Sequence, residues 1–465
     1  MLIRGLSAST LLIYNIAVLI TLIFLLRRYK SNQIAIFIII LFWGGLFADM
    51  GKMVQNIYKI AVVIFAIHLP YKYYFKNEIK AVRPLWIALG AFVVFVVCVN
   101  LIVHRESPLL VFSQMYKYVV PAALFPILLH VCKHTINAYR LNRLFGEILV
   151  IQIALNVVKL VFVGGWYEGL VGSITGVAGG GAGTTLPLLG LCWFALNTNM
   201  NINNKKSIFF LIGFLFIGWM AGKRAVWLLF PILFFLLGIF VSKTISMKRI
   251  LPLLLLLPLF LYLGLRFSPT LNPEKKIWGS FDPVYAWNYT MEYSAGKKDV
   301  TGDREVGAGR IGANTLLFQT FFYSGDNLST FSRLIGLGIG HVFAPNYEDY
   351  SNRDYYLGIS TRGALTGFGM FLMAFGAVGL ILFILYLLRL THYANSRNIR
   401  YIFGGVILFD FVFYNSTIVQ DPALMVFMMF LIAYSNKMYS KDGKFIDNNR
   451  AYKVIVARMN VIGCK

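Results

Sequence analysis

Long apolar runs follow one another through most of the chain and decide what it can fold into. Residues 251–265, for example, carry no charged side chain and are apolar on every side. Runs of about 17–25 such residues fit a hydrocarbon layer about 30 Å thick. In that layer only helices and closed barrels satisfy their own backbone groups. Because the alternating pattern of barrel strands is absent, the sequence predicts an all-α polytopic membrane protein.

The composition agrees with lipid as the solvent for this chain. Hydrophobic residues make up 58% of it and charged residues 13%, with a mean hydropathy of +0.70. Soluble domains average about 45–50% and about 25%. A chain of 465 residues with this balance cannot cover its apolar surface in one soluble core.

The apolar runs predict about 12–13 transmembrane helices, by their length. Helices 1–10 occupy residues 1–266 and helices 11–13 residues 363–436, while 267–362 form one large polar loop. The predicted spans lie near 8–26, 34–48, 60–70, 84–103, 118–133, 144–164, 185–197, 207–221, 225–241, 250–266, 364–390, 401–418 and 423–436. The spans 34–48 and 60–70 are short, so a count of about twelve remains open.

Basic residues fall in alternate connections between these spans. The net charge is +24, and more than half of the 43 Lys and Arg residues lie on one predicted side, including the tail 437–465. This positive-inside pattern places that side in the cytoplasm, facing anionic lipid. Membrane topology therefore explains the charge better than binding to nucleic acid, and the C-terminus is expected to be cytoplasmic.

The loop 267–362 is nearly neutral and rich in aromatic and amide side chains, such as Trp278, Tyr285 and Tyr289. Aromatic faces with amide partners suit sugar rings, and they equally suit the membrane interface. Residues 310–323 have the apolar spacing of an amphipathic helix. Arg310 stands at its start, where backbone N–H groups already favour anions.

Several charged residues in or beside the spans need an explanation. Lys223 and Arg224 lie in a tight turn on the outer side, against the positive-inside trend, so either an anion pairs with them or they reach the interface. Asp410 is too short to reach the interface. Either it pairs with Lys159 or Arg224, or it is catalytic.

Four features in this order resemble the lipid-linked O-antigen polymerases and O-antigen ligases. A small-residue turn with a cation, 222–225, is followed by Ala308-Gly309-Arg310 before a short helix. Then come the glycine segment 336–340 and the polar-aromatic stretch 354–357 before a helix that opens with glycine. The resemblance covers roughly 140–436 and implies a GT-C-like fold. The ligases carry a His-Asn pair where this chain has Arg353-Asp354, which favours a polymerase.

The resemblance implies an enzyme of the bacterial inner membrane that joins undecaprenyl-diphosphate-linked oligosaccharide repeat units into O-antigen of lipopolysaccharide or a similar polysaccharide. The predicted catalytic residues are Arg224, Arg310, Asp354 and His341. The predicted substrate-binding residues are Lys223, Arg304, Tyr355, Tyr356, Gly338 and Gly340. The general base is expected to be Asp354, then His341, then Glu305.

The scheme needs no metal or other cofactor, since the loop has no Asp-x-Asp pair and no His/Cys cluster. The partners expected are the lipid-linked oligosaccharide, membrane lipid and a chain-length regulator protein. Two alternatives stay open: a ligase or other lipid-sugar transferase, and a flippase or transporter of lipid-linked glycans. A flippase would need two related helical bundles and no large loop.

Overall fold

The computed structural model describes most of the chain as helices. It describes residues 8–73, 76–164, 169–177, 181–200, 204–241, 256–295, 310–323, 328–343, 355–356, 359–360, 365–414 and 416–439. Within them, seven helices are long and apolar enough to cross a membrane, and three shorter apolar helices accompany them. The chain is therefore an all-α protein with several helices suited to a membrane, as its composition predicts.

The first part of the chain is a series of helices joined by short turns. They are α1 (Ala8–Arg28), α2 (Gln33–Phe42), α3 (Gly44–Asp49), α4 (Lys52–Tyr73), α5 (Lys76–Cys98, continued by the π-helical turn Val99–Val103), α6 (Pro108–Lys133), α7 (Thr135–Phe162), α8 (Ala182–Thr198), α9 (Lys205–Met220), α10 (Arg224–Leu236, continued by the π-helical turn Leu237–Val241) and α11 (Leu256–Phe267). Asn32 and Asn204 start α2 and α9 by accepting backbone N–H bonds.

The large loop and the last helices follow. They are the 3-10 turn Pro269–Leu271, α12 (Pro283–Ala295), α13 (Arg310–Phe318, continued by the π-helical turn Gln319–Tyr323), α14 (Thr330–Ile335), α15 (Ile339–Phe343), β1 (Tyr355–Tyr356), β2 (Ile359–Ser360), α16 (Gly367–Thr391), α17 (Arg397–Val412), α18 (Thr417–Gln420) and α19 (Pro422–Met438). β1 and β2 pair antiparallel, with Tyr355 opposite Ser360. The helix predicted for 310–323 is present.

Four predicted spans begin eight to ten residues later than their helices: 60–70 (α4), 84–103 (α5), 118–133 (α6) and 144–164 (α7). Polar residues in the first ten positions of these helices lower the hydropathy, although the backbone there is helical. In α4, for example, the Lys59 ammonium donates to Ser113 Oγ of α6 across 2.8 Å. Predicted span 34–48 is also two helices, α2 and α3.

The short apolar helices α8 and α19 lie inside the bundle. Every residue from 182 to 196 and from 422 to 435 is buried. The ring of Phe430 in α19 stacks on Phe145 in α7, with centroids 4.2 Å apart. Helices that contact protein on all sides are apolar all round, so these two provide the core.

One end of the bundle gathers the large loop and the turns beside it, and we call it the loop end. There the backbone N–H of Val177 donates to Asp49 Oδ1 at 2.8 Å, and the N–H of Gly340 donates to Glu106 Oε1 at 2.9 Å. These bonds join the connection before α8 to the end of α3, and the large loop to the α5–α6 turn. The turns at the loop end are therefore tied to one another and to the large loop by hydrogen bonds.

Basic residues gather at the opposite end, which we call the basic end. Glu147 accepts hydrogen bonds from Arg28 at 2.8 Å and from Arg143 at 3.0 Å. Glu78 accepts one from Lys133 at 2.6 Å. Basic clusters that are far apart in the sequence thus lie at one end of the bundle.

A kink in α16 holds the glycine segment 336–340 in place. At Gly376 the backbone has φ of 64° and leaves the helical conformation. The carbonyl groups of Met373 and Ala374 instead accept hydrogen bonds from the N–H groups of Leu337 (2.8 Å) and Gly338 (3.2 Å). The break in the helix is therefore satisfied by the large loop, which is joined to a membrane helix at this point.

Candidate active site at the loop end

Tyr414, just after α17, is the centre around which the predicted cations gather. Its side chain is only 5% exposed. Its hydroxyl accepts a hydrogen bond from Thr184 Oγ1 at 3.0 Å, and its carbonyl accepts one from the N–H of Gly367 at 2.7 Å. Because α8 and α16 both hold it, the ring has a fixed position. Sequence reasoning missed Tyr414, since nothing local distinguishes it among the 26 tyrosines.

Arg310 begins α13 and lies against this ring. Its guanidinium carbon is 4.6 Å from the ring centroid of Tyr414, which is a cation–π contact. The helix is fixed to α16 by Asn314, whose Oδ1 accepts a bond from Thr366 Oγ1 at 2.9 Å. Arg310 Nε is buried and has no hydrogen-bond partner within the described ranges. A buried charged donor of this kind needs an acceptor.

The turn between α9 and α10 brings a second cation to the same ring. Gly222 has φ of 64°, the left-handed conformation that glycine adopts without strain. The Lys223 ammonium lies 6.0 Å from the Tyr414 centroid. Its aliphatic chain passes close to Gly183, where an added Cβ would lie 3.1 Å from Lys223 Cγ. Lys223 and Arg310, from distant parts of the chain, thus meet on one aromatic ring.

Arg224, the next residue, faces the large loop. Its guanidinium carbon is 5.0 Å from the ring centroid of Tyr289 in α12. Tyr289 stacks in turn on Tyr285, with centroids 6.3 Å apart. Arg224 therefore lies beside an aromatic surface of the kind that suits a sugar ring. Lys223, at the neighbouring position, lies beside the ring of Tyr414, as Arg310 does. The two cations of the turn therefore contact two different aromatic rings.

The glycines of segment 336–340 allow its backbone to pack closely against the connection between α5 and α6. The N–H of Ile339 donates to Asn100 Oδ1 at 2.7 Å, and the N–H of Gly340 donates to Glu106. Gly338 has φ of 97°, and a Cβ there would lie 3.0 Å from the His104 ring. These contacts leave no room for side chains at Gly338 and Gly340. Their predicted role in binding substrate stays a prediction.

The predicted bases and several substrate ligands lie where side chains are not described. Asp354, Arg304 and Glu305 fall outside the described residues. For His341 in α15 and for Tyr355 and Tyr356 in β1, the structure describes the backbone alone. Among the described residues, His, Cys, Asp and Glu side chains form no group of three that could hold a metal ion.

Asp410 and Lys159 each form a hydrogen bond with the backbone of another helix. The buried Asp410 Oδ2 accepts the N–H of Ile418 at 2.7 Å, so this carboxylate caps α18. Lys159 Nζ donates to the carbonyl of Met220 at 2.9 Å, at the end of α9. Neither of these two bonds joins Asp410 to Lys159, and the alternatives that Asp410 pairs with Arg224 or is catalytic stay predictions. Lys159 supports the turn that carries Lys223 and Arg224.

A second, partly buried group of polar residues was not predicted, because α4 and α6 begin earlier than the predicted spans. It contains Lys59, bound to Ser113, and Lys117, whose ammonium donates to Gln114 Oε1 at 2.7 Å. Asp421 lies near Lys117 and caps α19 through the N–H of Ala423 at 2.8 Å. Burial raises the pKa of the Asp421 carboxyl to about 6, although the cap bonds and the charge of Lys117 oppose this rise.

Replacing Asp421 by asparagine is expected to stabilise the protein more at pH 8 than at pH 5. The pKa of this carboxyl is about 6 in the fold and ordinarily 3.8, so stability is lost as the pH rises between those two values. Asparagine keeps the cap and carries no charge. The free energy of unfolding of the variant at pH 8 should therefore be higher by on the order of 1 kcal/mol. Melting temperatures in detergent at both pH values test this. An equal shift at the two values would contradict it.

Comparison with known proteins does not assign the chain to a family. No family model, no curated protein and no solved structure matches the chain. The function is therefore inferred from the residues and the geometry above.

Proposed function

We propose that the chain is a polysaccharide polymerase of the bacterial inner membrane. It joins oligosaccharide repeat units carried on polyprenyl diphosphate, such as undecaprenyl diphosphate, in the manner of an O-antigen polymerase. The protein has about 12–13 transmembrane helices in a GT-C-like arrangement, with the loop end outside the cytoplasm. The basic end and the tail 437–465 face the cytoplasm, because Lys and Arg are enriched there.

The observation that carries this proposal is the meeting of Lys223 and Arg310 on the ring of Tyr414. Two cations beside one fixed ring repel each other, and an anion between or beside them offsets this repulsion. The buried Nε of Arg310 has no acceptor among the residues described. A diphosphate supplies acceptors for both groups, and guanidinium binds it through two parallel bonds.

The chemistry follows from this placement. A hydroxyl of the acceptor sugar attacks the anomeric carbon of the donor, and the bond between that carbon and the diphosphate oxygen breaks. The diphosphate leaves on its lipid with the electron pair. Lys223, Arg224 and Arg310 neutralise its growing charge, each charge-assisted bond contributing ~1.5–3 kcal/mol. The hydroxyl proton passes to a base, for which Asp354, His341 and Glu305 are the candidates.

The aromatic surface beside Arg224 suits the sugar next to the diphosphate. Tyr285 and Tyr289 stack along α12, with Arg224 on the ring of Tyr289. Sugar rings pack their C–H faces on such aromatic side chains. This arrangement would hold the anomeric carbon near the cations, where the leaving charge forms.

The direct test is to incubate the purified protein in liposomes with a polyprenyl-diphosphate-linked repeat unit. A polymerase gives a ladder of products that differ by one repeat unit. A ligase gives no ladder but moves the glycan to a lipid A-core acceptor, and a flippase only moves the substrate across the bilayer. Absence of a ladder together with either of these two activities would refute the proposal.

Changing Arg224 to lysine is expected to slow the ladder strongly. Lysine keeps the charge but loses the second bond of the guanidinium fork, a loss of ~1.5–3 kcal/mol or about 10- to 150-fold in rate. Arg105, an exposed arginine at the same end, gives the matched control Arg105→Lys. The lengths and yields of products on gels measure the effect. Equal activity of the two variants would show that Arg224 does not contribute to the site.

A further inference from the structure

An apolar cavity with a cationic rim opens at the basic end, far from the proposed active site. Its volume is about 770 Å³, and it lies between α1, α7, α8 and α9. Its apolar wall includes Phe24, Val150, Trp193, Phe209 and Phe210. A cavity of this size with such a lining is suited to a hydrocarbon chain rather than to a soluble ion.

The rim of the cavity carries more positive than negative charge. Arg28 and Arg143 share the single carboxylate of Glu147. Lys205 and Lys206 also line the cavity, are exposed, and have no ion pair among the described residues. Four cations and one carboxylate leave a surplus of positive charge at the mouth. This charge is complementary to an anionic headgroup.

The two lysines are also placed unfavourably for their own helix. Lys205 and Lys206 are the first residues of α9, after its cap residue Asn204. The N-terminus of a helix carries partial positive charge, so cations there cost stability. An anion bound at this point would offset both the dipole and the lysine charges. The same two lysines thus favour an anion here both as part of the cationic rim and as the first residues of α9.

The apolar part of the cavity continues along α9 toward the middle of the membrane. A second cavity of about 430 Å³ shares Lys205 and Phe209 with the first. It is lined further along by Ile212 and Phe216. From Lys205 to Phe216 the helix rises about 16 Å. The two cavities form a groove that begins at the cationic rim and runs into the hydrocarbon layer.

We propose that this groove binds one anionic phospholipid, its phosphate on Lys205 and Lys206 and an acyl chain along Phe209 toward Phe216. The positive charge at the rim favours an anionic headgroup, and the apolar groove favours a headgroup that carries an acyl chain. The inference requires only that the bundle lies in a bilayer. It can therefore be correct or wrong independently of the polymerase proposal.

The test compares two short-chain lipids on the purified full-length protein by native mass spectrometry. Dioctanoyl phosphatidylglycerol and dioctanoyl phosphatidylcholine have the same chains, but only the first is anionic. We expect one tightly bound phosphatidylglycerol and weaker binding of phosphatidylcholine. Lys205→Gln/Lys206→Gln is expected to weaken phosphatidylglycerol binding about 30-fold, at ~1 kcal/mol for each lysine near the headgroup.

Two further variants separate this site from a general surface effect. Lys80→Gln/Arg83→Gln removes two exposed cations near Glu78 at the same end and should leave binding unchanged. Val150→Trp fills the groove without changing charge and should weaken the binding of phosphatidylglycerol. The lysine variant removes cations from a helix start, so its melting temperature without lipid should not fall.

Three results would overturn the inference. Equal binding of the two lipids would show that the rim does not select an anion. Equal weakening by the two double variants would show diffuse attraction to the basic end. A dimer in size-exclusion chromatography that Val150→Trp converts to a monomer would show that a second copy of the chain covers the groove.

Discussion

Replacing Arg310 by lysine is expected to abolish the polymer ladder while the protein remains folded in the membrane. The guanidinium lies 4.6 Å from the Tyr414 ring centroid, and its buried Nε needs an acceptor. Lysine cannot form two parallel bonds to a diphosphate, and its ammonium does not stack flat on the ring. Loss of one charge-assisted bond of ~1.5–3 kcal/mol slows each transfer about 10- to 150-fold. Because a long product needs many transfers, long chains should disappear.

The result is read from product lengths at equal amounts of membrane-inserted protein. Arg105→Lys serves again as the matched variant, because it makes the same change at an exposed position of the same end. Normal chain length in Arg310→Lys would contradict the role of Arg310. A loss of the protein from the membrane would instead assign Arg310 a role in folding, and would equally contradict the expectation.

Replacing Gly336 by alanine is expected to detach the glycine segment from α16 and to lower stability and activity together. Gly336 has φ of 82° and ψ of −174°, a conformation nearly restricted to glycine. An added Cβ would lie 2.5 Å from the backbone of Ala374. Backbone atoms at the kink cannot move aside easily. The clash should therefore lower the free energy of unfolding by about 1–3 kcal/mol, in addition to the strain of the φ angle.

Gly164→Ala provides the matched control for this change. Gly164 has φ of 88°, and an added Cβ there meets no atom of the described chain within 4 Å. Gly164→Ala therefore places a side chain at a positive φ angle without a clash. Melting temperatures from tryptophan fluorescence should fall several degrees further for Gly336→Ala than for Gly164→Ala. Equal falls would show that contact of the loop with the kink contributes little.

The sequence predicted the parts of the fold that depend on local pattern. Uninterrupted apolar runs, such as that in α16, indicated helices correctly. The spacing of residues 310–323 indicated the helix that Arg310 begins. The starts of α4 and α6 were missed because Lys59 and Lys117 lower the average hydropathy. Their ammonium groups are satisfied by Ser113 and Gln114, and a sliding average cannot detect such pairing.

The candidate site was only half predictable for a related reason. Arg224 stands out because it lies in a turn on the predicted outer side, where cations are unusual, and Arg310 because it begins a predicted helix after Ala308-Gly309. Tyr414 does not stand out, because its role depends on Thr184 and Gly367 meeting it from other helices. Asp410 stands out in the sequence as a charge inside a predicted span; in the fold its Oδ2 accepts a hydrogen bond from the backbone of α18, and a catalytic role stays a prediction. Side-chain type alone does not distinguish a helix cap from a catalytic group.

The position of Lys159 shows how the fold supports the proposed site. Its ammonium is buried and bonds to the carbonyl of Met220. Met220 ends α9, and the Gly222–Arg224 turn begins there. A charge placed inside a membrane bundle is costly unless it is satisfied. Here it satisfies a helix end and so helps to fix the cations that follow.

The central claim is that cations from the α9–α10 turn and from α13 bind one diphosphate together. A double-mutant cycle on the binding of farnesyl diphosphate, with Lys223→Gln, Arg310→Lys and the double variant, tests it most directly, because these two cations share the Tyr414 ring. If both bind the same diphosphate, the double variant should lose less affinity than the product of the two single losses, by a coupling of at least ~0.5 kcal/mol. Single losses that multiply without coupling would show that the two cations act at separate places, and would contradict a shared diphosphate site.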